Sequence, residues 1–236
     1  MTNENKKQNT EENPFETEQV AKEWITSVEG EVGLIRDNEI YPKLQSWISG
    51  IKPETVVEIG SGQGICSDKL GDFNGEYIGI EPSKHLTERA EELYSSHTNK
   101  TFKIGNAYDL PINDNGADAV FSVMVWFHLE NLEKAANELA RILKTGAKFY
   151  IITANPDLYF VWESFFSDYE KKDNKIIGRV EVPIKSLSKN IIHLHTIDEI
   201  IESLKKAGLN IESVERFGAS EENDDDGLLV GIIGSK

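Results

Sequence analysis

The sequence predicts an α/β protein whose mostly parallel sheet is covered by helices on both faces. Short apolar runs alternate with amphipathic segments between residues 55 and 153, and this alternation is typical of parallel strands joined by right-handed crossovers. The run Phe149–Ile152 is continuously apolar, as expected for a strand buried on both faces. A glycine-rich turn follows the first run. In such sheets ligands bind at the carboxyl ends of the strands.

Composition sets the broad class of the protein. The 236 residues suffice for one domain with extensions, and we expect this domain to span residues 15–236. The net charge of −16 disfavours a nucleic-acid partner, because phosphate contacts need clustered Lys and Arg. Cys66 is the only cysteine, so no intrachain disulfide forms. Without an apolar stretch of about 18 residues or a signal-peptide core, we expect a cytoplasmic protein that does not enter the membrane.

The first fifty residues predict a polar terminus followed by helices. Residues 1–14 are rich in Asn, Glu, Lys and Gln and are predicted to be disordered. Residues 15–50 are predicted to form an N-terminal helical extension, with apolar residues at helical spacing over Glu16–Val28. A second helix is predicted from Asp37 to Ile48, although Pro42 is awkward inside a helix and is an alternative start for it.

The central part of the chain predicts alternating strands and helices. The predicted strands are Thr55–Ile59, Tyr77–Ile80, Thr101–Ile104, Ala117–Val123 and Lys148–Thr153. The predicted helices between them are Gly64–Leu70, Ser83–Ser96 and Asn131–Leu143. These elements form the parallel part of the predicted sheet.

The alternation breaks after Thr153 and resumes near residue 196. Residues 155–190 are predicted to be an insertion above the carboxyl ends of the strands, serving as a lid or pocket wall. The alternative is a surface elaboration without a role in function. Within it we predict a helix over Leu158–Tyr169 and a strand over Ile176–Ile184. The predicted elements that follow are a helix, Thr196–Ala207, and an antiparallel hairpin formed by Leu209–Phe217 and Gly227–Ile233.

The turn after the first strand is the most informative motif. Glu58 is followed by Gly60, Gly62 and Gly64 in the pattern GxGxG, and Glu81 ends the next strand. Glycines let a backbone turn tightly and approach a ligand, and an acidic residue about twenty positions on can accept hydrogen bonds from a ribose diol. The dinucleotide pattern GxGxxG is absent. The motif thus favours an adenosine-containing ligand that is not a dinucleotide, over an ordinary strand–helix turn.

Several motifs in order resemble class I S-adenosylmethionine-dependent methyltransferases of the small-molecule type, similar to the methyltransferase-11 and methyltransferase-25 domains. Glu58–Gly64 resembles the first motif, acidic-x-GxGxG, and Glu81–Ser83 the second. Gly105–Pro111 is similar to the third motif, G-D-A-x-x-L-P. Phe121–Glu130 matches the fourth motif and leads into Arg141–Gly146, which resembles R-V-L-K-P-G-G. The resemblance is close over Val56–Thr153 and implies a Rossmann-like seven-stranded methyltransferase sheet.

The resemblance also implies S-adenosyl-L-methionine as the cofactor, with S-adenosyl-L-homocysteine as its product. Glu58 is expected near the amino group of the cofactor, Glu81 on the ribose diol and Pro82 or Ser83 against the adenine. Asn106 replaces the usual Asp and can still accept a hydrogen bond through its amide oxygen. The expected cofactor-binding residues are Glu58, Gly60, Ser61, Gly62, Gly64, Glu81, Pro82, Ser83, Asn106, Ala107, Ser122 and Val123.

Methyl transfer from a sulfonium is an in-line displacement, so the protein mainly aligns the methyl group with its acceptor. A base is needed only where the acceptor must lose a proton. The candidates for this base are His128, which matches a His of the family, and His195. The alternative for His128 is a packing role in the loop after the fourth strand. The alternative for His195 is a structural role, because it directly precedes the N-cap of the next predicted helix. His193 and His195 face the same side of a strand, but a third metal ligand is lacking and no metal is expected.

The predicted enzyme is a methyltransferase that acts on the O, N or C atom of a small organic molecule, as a monomer or homodimer. Aromatic residues of the insertion, including Tyr159, Phe160 and Trp162, are candidates for an apolar acceptor wall, although their spacing also suits helix packing. The alternatives are a non-catalytic sensor or assembly protein that binds S-adenosylmethionine, and a nicotinamide-dependent oxidoreductase, which Ile65 and Glu58 disfavour.

Overall fold

The computed structural model describes residues 13, 15–28, 35–158, 161, 163–164, 166–172, 175–180, 190–218 and 227–236. The helices are α1 (Glu18–Val28), α2 (Tyr41–Ile51), α3 (Lys84–Tyr94), α4 (Leu132–Ile142) and α5 (Ile197–Lys206). The strands are β1 (Thr55–Ile59), β2 (Glu76–Glu81), β3 (Lys100–Ile104), β4 (Ala117–Val123), β5 (Leu143–Ala154), β6 (Phe166–Lys172), β7 (Lys175–Val180), β8 (Asn190–His193), β9 (Asn210–Phe217) and β10 (Leu229–Ser235).

Seven strands form one sheet in the order β3-β2-β1-β4-β5-β10-β9. The first five strands are parallel, whereas β10 runs antiparallel to both β5 and β9. This confirms the predicted mostly parallel sheet with an antiparallel C-terminal hairpin. Because β1 lies between β2 and β4, the turns that leave these three strands emerge side by side at the carboxyl edge of the sheet.

Two hydrophobic cores cover the sheet, one on each face. On one face α4 and α5 pack on alternate residues of the strands, and Leu139 and Leu204 are fully buried there. On the other face α2 and α3 cover the remaining residues, with Leu44 and Ala90 buried. The sheet is therefore buried on both sides, which explains why its central strands are apolar at nearly every position.

Three predicted elements differ from the structure. The helix predicted over Gly64–Leu70 is a single 3-10 turn at Ile65–Asp68, preceded by Gly64 at a left-handed φ of +81°. The helix predicted from Asp37 begins instead as a π-helical turn, Arg36–Ile40, and α2 begins at Tyr41. Pro42 lies in the first turn of α2, where a backbone amide has no acceptor within the helix, so the missing N–H of proline breaks no helical hydrogen bond.

The predicted helix Leu158–Tyr169 is wrong over its last residues. Phe166 begins β6, which pairs antiparallel with β7, and β7 pairs antiparallel with β8. Phe166 is also buried against Ile176 and Ile192. Pairing across this small sheet overrides the helical spacing of the aromatic residues. Of the strand predicted over Ile176–Ile184, the structure shows β7 as far as Val180, and the rest lies outside the described residues, as do Tyr159, Phe160 and Trp162.

The small sheet β6–β7–β8 packs against the N-terminal helix. Val20 of α1 shares a core with Phe166, Ile176 and Ile192, and Trp24 and Phe127 are partly buried against this core. The helix α1 and the small sheet thus form one layer above the carboxyl edge of the main sheet. Among the helices of the described residues, none combines the length and the apolar character needed to cross a bilayer.

The N-terminus of α5 carries a capping box. The Thr196 hydroxyl accepts a hydrogen bond from the Glu199 amide at 3.2 Å, and the Glu199 carboxylate accepts one from the Thr196 amide at 2.8 Å. We expect Thr196→Ala to lower the free energy of unfolding by about 1 kcal/mol, because it leaves a helix amide without a partner. Urea titration measures this change. Thr26→Ala, at an exposed site in α1, is the control and is expected to change it by less than about 0.5 kcal/mol.

Candidate functional site

The turn after β1 needs glycine at specific positions. The Gly60 amide donates to the Ile80 carbonyl at 2.7 Å, which joins the turn to the end of β2. Gly60 has φ +75°, and a Cβ placed on it would lie 2.3 Å from Cγ2 of Val125. Gly64 also has a positive φ, and its Cβ would meet the Phe102 ring at 2.6 Å. Any larger residue would clash, so the glycines bring the backbone into close contact with its surroundings.

Glu81 lies at the end of β2 and organises the neighbouring backbone. Its carboxylate accepts hydrogen bonds from the Gly62 amide at 3.0 Å and from the Ser83 amide at 2.9 Å. Burial raises the pKa of Glu81 to about 7, although the two backbone hydrogen bonds act in the opposite direction. A carboxylate has about four acceptor positions, so two remain for a ligand such as a ribose diol.

Glu58 lies on β1 with only 2% of its surface exposed. The Tyr77 hydroxyl donates a hydrogen bond to its carboxylate. Burial is the main cause that raises the pKa of Glu58 to about 8, while hydrogen bonds from Tyr77 and Cys66 lower it. The Glu58 carboxyl therefore carries a proton in much of the protein at neutral pH, which the sequence pattern alone did not predict.

Buried polar atoms without partners surround this turn. The Ser61 hydroxyl, both amide atoms of Gln63 and the Ser122 hydroxyl are buried, and none has a hydrogen-bond partner among the described residues. Buried polar groups in folded proteins are nearly always paired, so these atoms are available to the polar groups of a ligand. Together with the backbone turn and Glu81, they fit an adenosyl amino acid with hydroxyl, amino and carboxylate groups. Gln63, in the middle of the GxGxG turn, was missed by the sequence reasoning.

Ser83 is fully buried and joins three parts of the site. It is the N-cap of α3, where its side chain accepts from the Leu86 amide, and its hydroxyl donates to the Phe15 carbonyl at 2.7 Å. Pro82 precedes it in this loop. The N-terminal segment is thus tied to the loop that follows Glu81.

Asn106, Ala107 and Val123 lie on neighbouring loops and strand ends. Asn106 is exposed, and its amide oxygen accepts from the Tyr108 amide at 2.8 Å, so one acceptor position of that oxygen is already used. Ala107 is buried, and Val123 at the end of β4 is half-buried. These positions surround the same carboxyl edge of β1, β2 and β4 that the sequence motifs predict.

The N-terminal segment covers the glycine turn. Nε1 of Trp24 lies 3.7 Å from the position of a Cβ on Gly62. The Phe15 ring packs edge-on against Trp24 at 5.2 Å between centroids, and at 6.2 Å from the His128 ring. These aromatic side chains shield the turn from solvent, which strengthens electrostatic interactions within the site.

The two histidines predicted as catalytic residues each hydrogen-bond to a backbone carbonyl. His128 donates from Nδ1 to the Ile191 carbonyl at 3.1 Å, and His195 donates from Nε2 to the Leu129 carbonyl at 2.6 Å. Burial lowers the pKa of His128 to about 4, so the ring is neutral at pH 7. Both bonds link the loop after β4 to the segment around β8. In the described part of the chain, no three His, Cys, Asp or Glu side chains are grouped to hold a metal ion.

Comparison with known proteins assigns the central sequence to a family. Residues 57–151 match the family described as methyltransferase domain. An uncharacterised methyltransferase of Schizosaccharomyces pombe is 32% identical over 117 residues, which cover 45% of this chain and 41% of that protein. A sterol 24-C-methyltransferase of Gibberella zeae is 25% identical over 179 residues, covering 73% of this chain and 44% of the relative. The matched segments therefore span less than half of either relative.

A solved structure shows the same fold over nearly the whole chain. An S-adenosylmethionine-dependent methyltransferase from Mesorhizobium loti superposes with a TM-score of 0.66 at 15% identity, covering 89% of this chain and all of that one. The glycine turn, Glu81 and the strands β2, β3 and β4 lie in the part of the chain that the family match covers. Residues 57–151 therefore resemble a methyltransferase domain, and the chain has the Rossmann-like fold of S-adenosylmethionine-dependent methyltransferases.

Proposed function

We propose that this protein transfers the methyl group of S-adenosylmethionine to an O, N or C atom of a small organic acceptor. One observation carries the proposal: the carboxylate of Glu81 meets a turn in which Gly60 and Gly62 adopt positive φ, beside buried polar atoms without partners. A site of this composition binds an adenosyl amino acid and leaves the carboxyl edge of β4 and β5 for an acceptor.

The residues of the chain bind and align, while the cofactor supplies an activated methyl group. Glu81 would accept hydrogen bonds from the ribose hydroxyls, the glycine turn would hold the methionyl part, and Ser83 and Asn106 would border the adenine. Ser122 and Val123, at the end of β4, would border the methionyl part. Since the leaving group is already activated, alignment accounts for much of the rate enhancement.

Two observations support a small molecule as the acceptor. The sterol 24-C-methyltransferase relative is named for a small substrate, and the chain has a net charge of −16, which disfavours contact with nucleic-acid phosphates. His128 and His195 stay candidates for the acceptor side of the site. We propose no membrane or nucleic-acid partner and a monomer or homodimer as the working form.

Calorimetric titration with S-adenosylhomocysteine tests the cofactor site, with NADH as the control ligand. We expect micromolar binding of the former and none of the latter, because Glu81 and the GxGxG turn fit an adenosyl amino acid. Preference for NADH, or no binding of either compound, would contradict the proposal. Binding without transfer of labelled methyl groups to any acceptor in a broad panel would instead favour the non-catalytic sensor.

A further inference from the structure

The backbone amides of the glycine turn are already used within the protein. The Gly60 and Ser61 amides both donate to the Ile80 carbonyl, at 2.7 and 3.1 Å. The Gly62 amide donates to the carboxylate at the end of β2, and the Gly64 amide donates to the Ser61 carbonyl at 2.8 Å. The carboxylate of an adenosyl amino acid only accepts hydrogen bonds. It therefore needs donors other than these amides.

Side chains supply the remaining donors at this turn. The Ser61 hydroxyl lies 2.7 Å from the position of a Cβ on Gly79, so it faces β2. Gln63 is only 2% exposed, and neither atom of its side-chain amide has a hydrogen-bond partner among the described residues. A buried amide in this state costs free energy until a ligand pairs with it. Gln63 thus offers an N–H group to a ligand of the turn.

Trp24 of α1 brings a second side-chain N–H to the turn. Its Nε1 lies 3.7 Å from the position of a Cβ on Gly62. A ligand atom that rests against Gly62 can therefore lie within hydrogen-bonding distance of Nε1. The indole N–H is a donor only, and it donates to no group in the part of the chain that the structure describes.

Two anchors fix the position of Trp24. Its ring packs edge-on against Phe15 with 5.2 Å between centroids, and the Phe15 carbonyl accepts a hydrogen bond from the Ser83 hydroxyl at 2.7 Å. One helical turn before Trp24, Val20 is buried in the core of the small sheet β6–β7–β8. The indole is thus held over the turn before any ligand binds, so its hydrogen bond costs little ordering entropy.

We propose that Trp24 and Gln63 bind the carboxylate of the methionyl group of S-adenosylmethionine, with the indole N–H and the side-chain amide N–H as donors. This inference rests on the proposed function and names the residues that recognise one part of its cofactor. The ribose hydroxyls and the ammonium group are donors and suit the acceptor oxygens of Glu81 and Glu58. The carboxylate is the part of the cofactor that needs N–H groups, and these two side chains have them to give.

Decarboxylated S-adenosylmethionine is the matched probe, because it differs from the cofactor only by the missing carboxylate. Calorimetric titration with each compound compares the unmodified protein with Trp24→Phe and Gln63→Met. We expect each substitution to weaken binding of S-adenosylmethionine about tenfold, because it removes a hydrogen bond to a charged group. Binding of the decarboxylated compound should weaken by less than about threefold. Trp47→Phe is the control, since this tryptophan of α2 packs on Tyr150.

The NMR resonance of the Trp24 indole N–H reports the hydrogen bond directly in the unmodified protein. It is assigned as the indole resonance that is missing from Trp24→Phe. We expect it to move downfield with S-adenosylmethionine and to move much less with the decarboxylated compound.

An indole resonance that responds equally to both compounds would overturn this inference. So would equal losses of affinity for both compounds in variants that unfold at the same urea concentration as the unmodified protein. Failure of the unmodified protein to bind S-adenosylmethionine would contradict the proposed function instead.

Discussion

Replacing Glu81 by alanine is expected to weaken S-adenosylhomocysteine binding by at least about 100-fold. Each hydrogen bond from a ribose hydroxyl to a buried carboxylate contributes about 1.5–3 kcal/mol, so losing two of them accounts for a change of this size. The substitution also leaves the amides of Gly62 and Ser83 without their acceptor, which loosens the turn. Calorimetric titration of the purified variant measures the change.

Two variants make this expectation specific. Glu76→Ala changes an exposed carboxylate on the same strand and should leave affinity within about twofold. Glu81→Gln keeps one acceptor oxygen and should lose less affinity than the alanine variant. Because the pKa of Glu81 is about 7, affinity in the unmodified protein should fall as the pH drops below 7, and the glutamine variant should lack that dependence. An alanine variant that binds within threefold of the unmodified protein would show that Glu81 does not hold the ribose.

The cofactor side of the site is predictable from sequence because it depends on local backbone requirements. A strand, a turn that needs positive φ at Gly60, Gly62 and Gly64, and an acidic residue at the next strand end are visible as a pattern. The parallel sheet follows from the alternation of strands and helices. Because β1 and β2 are neighbours both in the chain and in the sheet, Glu81 lies beside the turn, and no contact between distant segments has to be predicted. Local rules therefore sufficed for the sheet and for the turn.

The acceptor side depends on contacts between distant segments, which sequence patterns do not reveal. Phe166 reads as part of a helix by its spacing, yet it pairs with Val180 across a hairpin. His128 and His195 stand at suggestive positions, yet each donates to a carbonyl more than sixty residues away in the chain. Only the packed structure distinguishes these rings from His193, whose Nδ1 has no partner among the described residues.

The buried carboxyl of Glu58 should make stability fall as the pH rises. Its pKa is about 8 in the folded protein against an ordinary value of 4.5, so the folded state binds the proton more tightly than the unfolded state. The resulting stabilisation is fully present below pH 4.5 and is lost as the pH rises through 8. We expect Glu58→Gln to remove about 3–5 kcal/mol of this pH dependence, because the neutral amide mimics the protonated acid.

Urea titrations of the cofactor-free protein between pH 5 and pH 9 measure this difference. Glutamine retains an oxygen that can accept from the Tyr77 hydroxyl, so the hydrogen bond of the protonated acid has a counterpart in the variant. Glu54→Gln, at an exposed position immediately before β1, is the matched control and should follow the unmodified protein at every pH. If the Glu58→Gln curve also runs parallel to that of the unmodified protein, then Glu58 is ionised in the folded state. The turn would in that case hold a negative charge ready for the ammonium group of the cofactor, rather than a proton that the cofactor must displace.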